Sequence, residues 1–133
     1  MEIANHEYYV SLEVAKLLKE VGFDWKCNGV FLSEDGTQYA FIKADAVCDN
    51  NNSKYNPYNI SAPTLDVSQR WLRETHNLHI TIFSSSQESW MFRITKPYEK
   101  LENGVYGEDF YTYEEAQEAG IKKALELILE KGE

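Results

Sequence analysis

The chain has 133 residues, a formal net charge of −9, and is 43% hydrophobic and 14% aromatic. That length points to one domain over 1–133 whose core needs no staples, and the composition argues against disorder. The acidity argues against direct binding to nucleic acid or anionic lipid, and no apolar run is long enough for a membrane-spanning helix.

MEIANHEYYV lacks the basic region and apolar core of a signal peptide. Two cysteines, Cys27 and Cys48, are too few for a disulfide scaffold and suit a reducing compartment, so a cytoplasmic location is expected. SLEVAKLLKEV predicts a first helix over 11–21, with Ser11 able to cap it and Gly22 able to end it. Val14, Leu17, Leu18 and Val21 share one face of it. A hairpin follows. Its turn falls at Asn28-Gly29 or at Ser33–Gly36, and the second is preferred, with strands near 29–32 and 37–43. ADAVCDNNNSKYNPYNI, over 44–60, reads as an irregular surface loop.

The stretch 61–95 has the cleanest periodicities. Ser61-Ala62-Pro63-Thr64 is a helix start, with hydroxyls that can cap and a proline suited to a first turn. Leu65, Val67, Ser68, Trp71, Leu72 and Thr75 fall in one arc, so Trp71 is expected to be the largest buried group. Asn77 suits a left-handed helix end. Leu78, Ile80 and Ile82 then alternate with His79, Thr81 and Phe83. After a polar loop, Trp90, Phe92 and Ile94 alternate with Met91, Arg93 and Thr95, which completes an antiparallel hairpin. A short strand near 108–111 is followed by a last helix, with Thr112 and Glu115 placed as a capping box and Gly132 beyond its end near Glu130.

The expected fold is therefore α+β, in the order α-β-β-α-β-β-α, with one antiparallel sheet and helices on one face. On the last helix, Tyr113, Ala116, Gly120, Ala124, Leu127 and Ile128 form the main inner face. The small residues at 116, 120 and 124 suit close packing on a sheet. Ile121, Leu125 and Leu129 form a second apolar stripe, which needs a cover. Either the first helix or N-terminal strand of the same chain covers it, or it is the interface of a homodimer.

Several stretches resemble a set of small, uncharacterised proteins encoded by phages and prophages of gut anaerobic bacteria. One is Ala62-Pro63-Thr64 with Trp71-Leu72-Arg73-Glu74, His76 and the Ile80/Ile82 strand. Another is Tyr113-Glu114-Glu115-Ala116 with Gly120-Ile121 and Ala124-Leu125. Ala15-Lys16-Leu17-Leu18 followed by Gly22-Phe23 is similar too. The segments 44–60 and 96–111 stand outside the likeness. These are helix-face and cap patterns, so the resemblance implies a source and carries over no site.

Candidate chemistry is sparse. His76 and His79 form an H-x-x-H, but Asn77 ends the helix between them and zinc needs three or four ligands. Cys27 and Cys48 form no C-x-x-C, and read as ordinary buried thiols. A cysteine–histidine dyad with His6, His76 or His79 rests on residue types alone. Asp45, Asp49, Asn51 and Ser53 lack the glycine and terminal glutamate of a calcium loop. Arg70 and Arg73 share an exposed helix face beside Asp66 and Glu74, where surface ion pairs are expected. Tyr8, Tyr9, Tyr55, Tyr58, Tyr98, Tyr106, Tyr111 and Tyr113 fall at or beyond the edges of regular elements, where an amphipathic ring serves either the core edge or an interface.

No catalytic, cofactor or metal motif is present, so the expected function is a non-enzymatic accessory or protein-interaction module of phage or prophage type, with a protein partner. The alternative is an acidic inhibitor that mimics DNA toward a nucleic-acid-binding host protein. One contiguous acidic face would favour mimicry, whereas mixed charge with an apolar patch would favour the module.

Overall fold

A computed structural model describes residues 8–48, 57–86, 89–96 and 104–131, with backbone only for 44–48 and 86. The elements in order are α1 (Leu12–Val21), β1 (Cys27–Leu32), β2 (Ala40–Cys48), β3 (Ile60–Ser61), α2 (Leu65–His76), β4 (His79–Ser86), β5 (Ser89–Thr95), β6 (Val105–Phe110) and α3 (Tyr113–Glu130). The chain is α+β in the expected order, with β3 added after the first hairpin and β6 lying where a short strand near 108–111 was expected.

Local chemistry sets the helix ends. Ser11 Oγ accepts from Val14 N, and Gly22 closes α1 at φ +105° with its N–H on Leu18 O. Thr64 caps α2 by accepting from Val67 N, which leaves Pro63 ahead of the helix and outside its first turn. Asn77 ends α2 in the left-handed conformation at φ 57°. Thr112 Oγ1 accepts from Glu115 N, while the Glu115 carboxylate reaches back one residue further than a capping box requires, to Tyr111 N.

The strands form two three-stranded antiparallel sheets, β2-β1-β3 and β4-β5-β6, where a single sheet was expected. The free edge of β4 explains the split. Gln69 of α2 donates from Nε2 to Ile80 O at 2.7 Å, so a helix side chain occupies that edge and no strand of the first half adds to it. The first hairpin turns at Ser33–Gly36, as preferred. Ser33 Oγ accepts from Gly36 N, and Gly36 sits at φ +83°, where only glycine is unstrained. β2 continues through 44–48, so the irregular loop expected over 44–60 begins later than the sequence suggested.

α3 packs against β4, β5 and β6 on one side and against α1 and α2 on the other. On the sheet side it comes very close: a Cβ at Gly120 would stand 3.0 Å from Ile80 Cγ2 and 3.1 Å from Phe92 Cγ. The core continues through Trp71, Phe23, Leu18 and Leu72, with Phe23 edge-on to Trp71 at 5.3 Å between ring centroids.

Candidate functional site

The strand alternation gives the second sheet two unlike faces. Ile80, Phe92 and Ile94 are buried on the side that α3 covers. On the other side, the register sets Thr81 beside Arg93 and Arg93 beside Tyr106, with Phe83 beside Met91 and His79 beside Thr95. The helix packed across this sheet, α3, lies on the buried side, where Gly120 meets Ile80 and Phe92. Tyr106 is 45% exposed, while Phe83, Met91 and Arg93 are half-buried.

Arg93 is the centre of this open face. Its guanidinium carbon lies 5.6 Å from the Phe83 ring centroid. Its Nε is buried without a hydrogen-bond partner, and no described carboxylate pairs with it. A guanidinium laid on an aromatic ring is weakly hydrated and keeps its donor fork ready for a planar acceptor. Aromatic residues, methionine and arginine are also the types enriched at the centres of protein interfaces.

Of the two covers open for the Ile121–Leu125–Leu129 stripe, the first helix of the same chain or a second copy, the structure places the first there. Ile121 and Leu125 are both 0% exposed and Leu129 is half-buried. The chain supplies its own cover, because α1 lies beside this part of α3. Lys122 Nζ meets Glu13 Oε2 at 2.9 Å, and Glu118 Oε2 accepts from Ser11 N at 2.8 Å. The hydrogen bond and charge of Glu13 hold Lys122 above the usual lysine range. α3 is therefore buried along both stripes, and Tyr113, assigned to the inner face, stands 39% exposed at its start.

The other candidates are scattered. His76 closes α2 edge-on to Trp71 at 5.0 Å, and His79 lies on β4 beyond the turn at Asn77. Among the described residues no three histidine, cysteine or acidic side chains are placed to hold a metal ion. Cys27 and Cys48 occupy opposed positions in the β1–β2 ladder, and Cys27 is buried with its Sγ 3.4 Å from Gly29 O. Arg70 pairs with Glu74 at 2.8 Å and leans over Trp25, as a surface ion pair would. His6, Asp49, Asn51, Ser53, Tyr55 and Tyr98 lie outside the described residues. Among the described tyrosines, Tyr106 is the one the register places on the open face. The alternation of Met91, Arg93 and Thr95 was visible in the sequence, but nothing in it said which face α3 would leave uncovered.

No protein-family model matches the chain, and neither a curated protein nor a solved structure matches it significantly.

Proposed function

We propose that the chain is a non-catalytic protein-interaction module of the phage or prophage accessory type, working in the cytoplasm. It docks a partner protein on the open face of β4-β5-β6. The observation that carries this reading is Arg93, an arginine without a carboxylate partner on an apolar and aromatic sheet face in an acidic chain. The partner surface it fits presents a carboxylate to the guanidinium, with apolar groups over Phe83, Met91 and Tyr106. A buried bidentate pair of this kind gives orientation as well as affinity.

The charge pattern supports the module over DNA mimicry. Glu13 and Glu74 are tied to Lys122 and Arg70, so part of the acidic surface is locally neutralised, and an apolar patch is present. The test uses wild type and Arg93→Glu as baits in bacterial host cells, followed by direct binding with the purified partner. Wild type is expected to retain a partner that Arg93→Glu loses by at least roughly tenfold, with the fold verified by circular dichroism. Equal retention by both baits would remove the open face as the docking surface.

A further inference from the structure

The chain has two cysteines, Cys27 and Cys48, and the fold sets them opposite each other. From Leu32 back to Gly29, β1 pairs with β2 residue for residue, Leu32 with Ala40 and so on to Gly29 with Lys43. The ladder then breaks. β1 passes only Asn28, while β2 passes 44–47, and the strands close again on the rung Cys27–Cys48. The unbroken register would set Cys27 opposite Asp45, so the bulge is what brings Cys48 to it. Bulges re-aim strands and are built features of a pair, not slack in it.

Opposed residues of an antiparallel pair have Cα atoms about 4.5–5.5 Å apart and project on the same face of the sheet. A disulfide spans Cα distances of about 4.4–6.8 Å, so this rung suits one whichever kind of pair it is. Cys27 is 6% exposed and belongs to the core, with its Sγ 3.4 Å from Gly29 O. Burial shields its thiol from oxidants in solution but not from a thiol on the next strand.

We propose that Cys27 and Cys48 are a redox-responsive modification site, which forms a reversible disulfide across β1 and β2. The oxidant is a low-molecular-weight disulfide of the glutathione class. Cys48 exchanges first, because Cys27 is buried. Its thiolate attacks the small disulfide, forms a mixed disulfide and releases one small thiol. The Cys27 thiolate then attacks the Cys48 sulfur and expels the other. The two protein thiols give up two protons and two electrons, and the small disulfide takes up both and leaves as two thiols. The new bond closes a loop that holds the whole first hairpin. It ties the end of β2, the edge strand on which Phe41 and Ile42 are exposed, to the core. A reducing compartment keeps the pair as thiols, and oxidation locks the edge.

The test equilibrates the purified chain in glutathione buffers of increasing oxidised fraction, quenches with acid and alkylates the remaining thiols. Peptide mass spectrometry and thermal melts read each sample. One two-electron transition is expected, from two alkylated cysteines to a Cys27–Cys48 cross-link within one chain, reversed by dithiothreitol. The oxidised form is expected to melt roughly 5–10 °C higher, because the cross-link restricts the unfolded chain. Cys27→Ser is expected to collect the glutathione adduct on Cys48. Cys48→Ser keeps the buried thiol in place, and is expected to leave Cys27 unmodified and the melting temperature the same in every buffer. The proposal is overturned if both wild-type cysteines remain open to alkylation in the most oxidising buffer. It is also overturned if glutathione adducts or links between chains accumulate in place of the internal bond, or if closing that bond lowers the melting temperature, since the rung would then not hold the two sulfurs together.

Discussion

The chain runs through helix and three strands twice, yet the two sheets end up with different environments. In α1–β1–β2–β3 the third strand is two residues long and lies on the far side of β1, so β2 is left at an edge with Phe41 and Ile42 both exposed, at 41% and 46%. In α2–β4–β5–β6 the third strand has six residues and continues the meander from β5, and α3 follows it directly onto the sheet. The second sheet carries α3 across it, whereas the first meets α1 at its short third strand. A covered sheet can hold its second face rigid and open, as the Arg93 face is. The first sheet meets α1 at β3 and shows apolar groups on its β2 edge, at Phe41 and Ile42.

The comparison breaks most sharply at α3, the element the second sheet has and the first lacks. Leu125→Asp places an unpaired charge in a fully buried site and is expected to abolish cooperative folding, because such burial costs several kcal/mol. Leu129→Asp, at a half-buried position one turn on, should leave a folded protein. A folded Leu125→Asp chain in a thermal melt would mean that α3 is not the buried layer described.

Trp71→Ala comes next. Trp71 is 1% exposed and packs on Phe23 in the core that both halves share. An aromatic truncation there costs about 3–5 kcal/mol. A urea midpoint near wild type would place Trp71 outside the core.

Much of this was legible because it is local. Ser11, Gly22, Thr64, Asn77 and Thr112 mark helix ends through contacts within a few residues, and the β4–β5 hairpin shows in strict alternation. What failed depends on distant partners. β3 is too short to have a period, and β6 begins earlier than the short strand expected near 108–111, because Gly107 and the left-handed Asp109 blur its pattern. Periodicity revealed the Ile121–Leu125 stripe, but its cover comes from α1, about a hundred residues earlier in the chain. The Gln117 amide chain joins α2, α3 and β4, and no local pattern encodes it.

Two glycines sharpen the contrast between the sheets. A Cβ at Gly29 in β1 would stand 2.3 Å from the backbone oxygen of Ala62, which cannot move without breaking the pairing with the β3 segment. A Cβ at Gly107 in β6 would stand 2.2 Å from Phe92 Cε2, a side-chain atom and not backbone. Gly107→Ala is expected to cost about 1–3 kcal/mol as an overpacked site, and Gly29→Ala more. The reverse order in chemical denaturation would show that the first sheet is the more compliant.

The smallest effect belongs to the turn of the first hairpin. The Asp35 carboxylate accepts from Thr37 N at 2.9 Å and from Thr37 Oγ1 at 2.8 Å. The backbone bond from Thr37, then its hydroxyl, favour the charged form and hold the Asp35 pKa below the usual aspartate value. Because the folded value is depressed, the stabilisation is fully present above the unfolded pKa of about 3.9 and is lost as the pH falls through the lower folded one. Asp35 is fully exposed, so the effect is small and screened by salt. The corresponding end of the second hairpin has a contact between the hydroxyls of Ser85 and Ser89 at 2.7 Å, which does not titrate in this range. In an NMR titration the Asp35 carboxyl should reach its midpoint below the ordinary aspartate value, and the Thr37 amide should follow the same curve. Asp35→Asn should flatten the Thr37 curve while leaving Ser85 and Ser89 unchanged. An Asp35 midpoint at or above the ordinary value would mean that the Thr37 bonds do not hold in solution and that the first turn is no better fixed than an open loop.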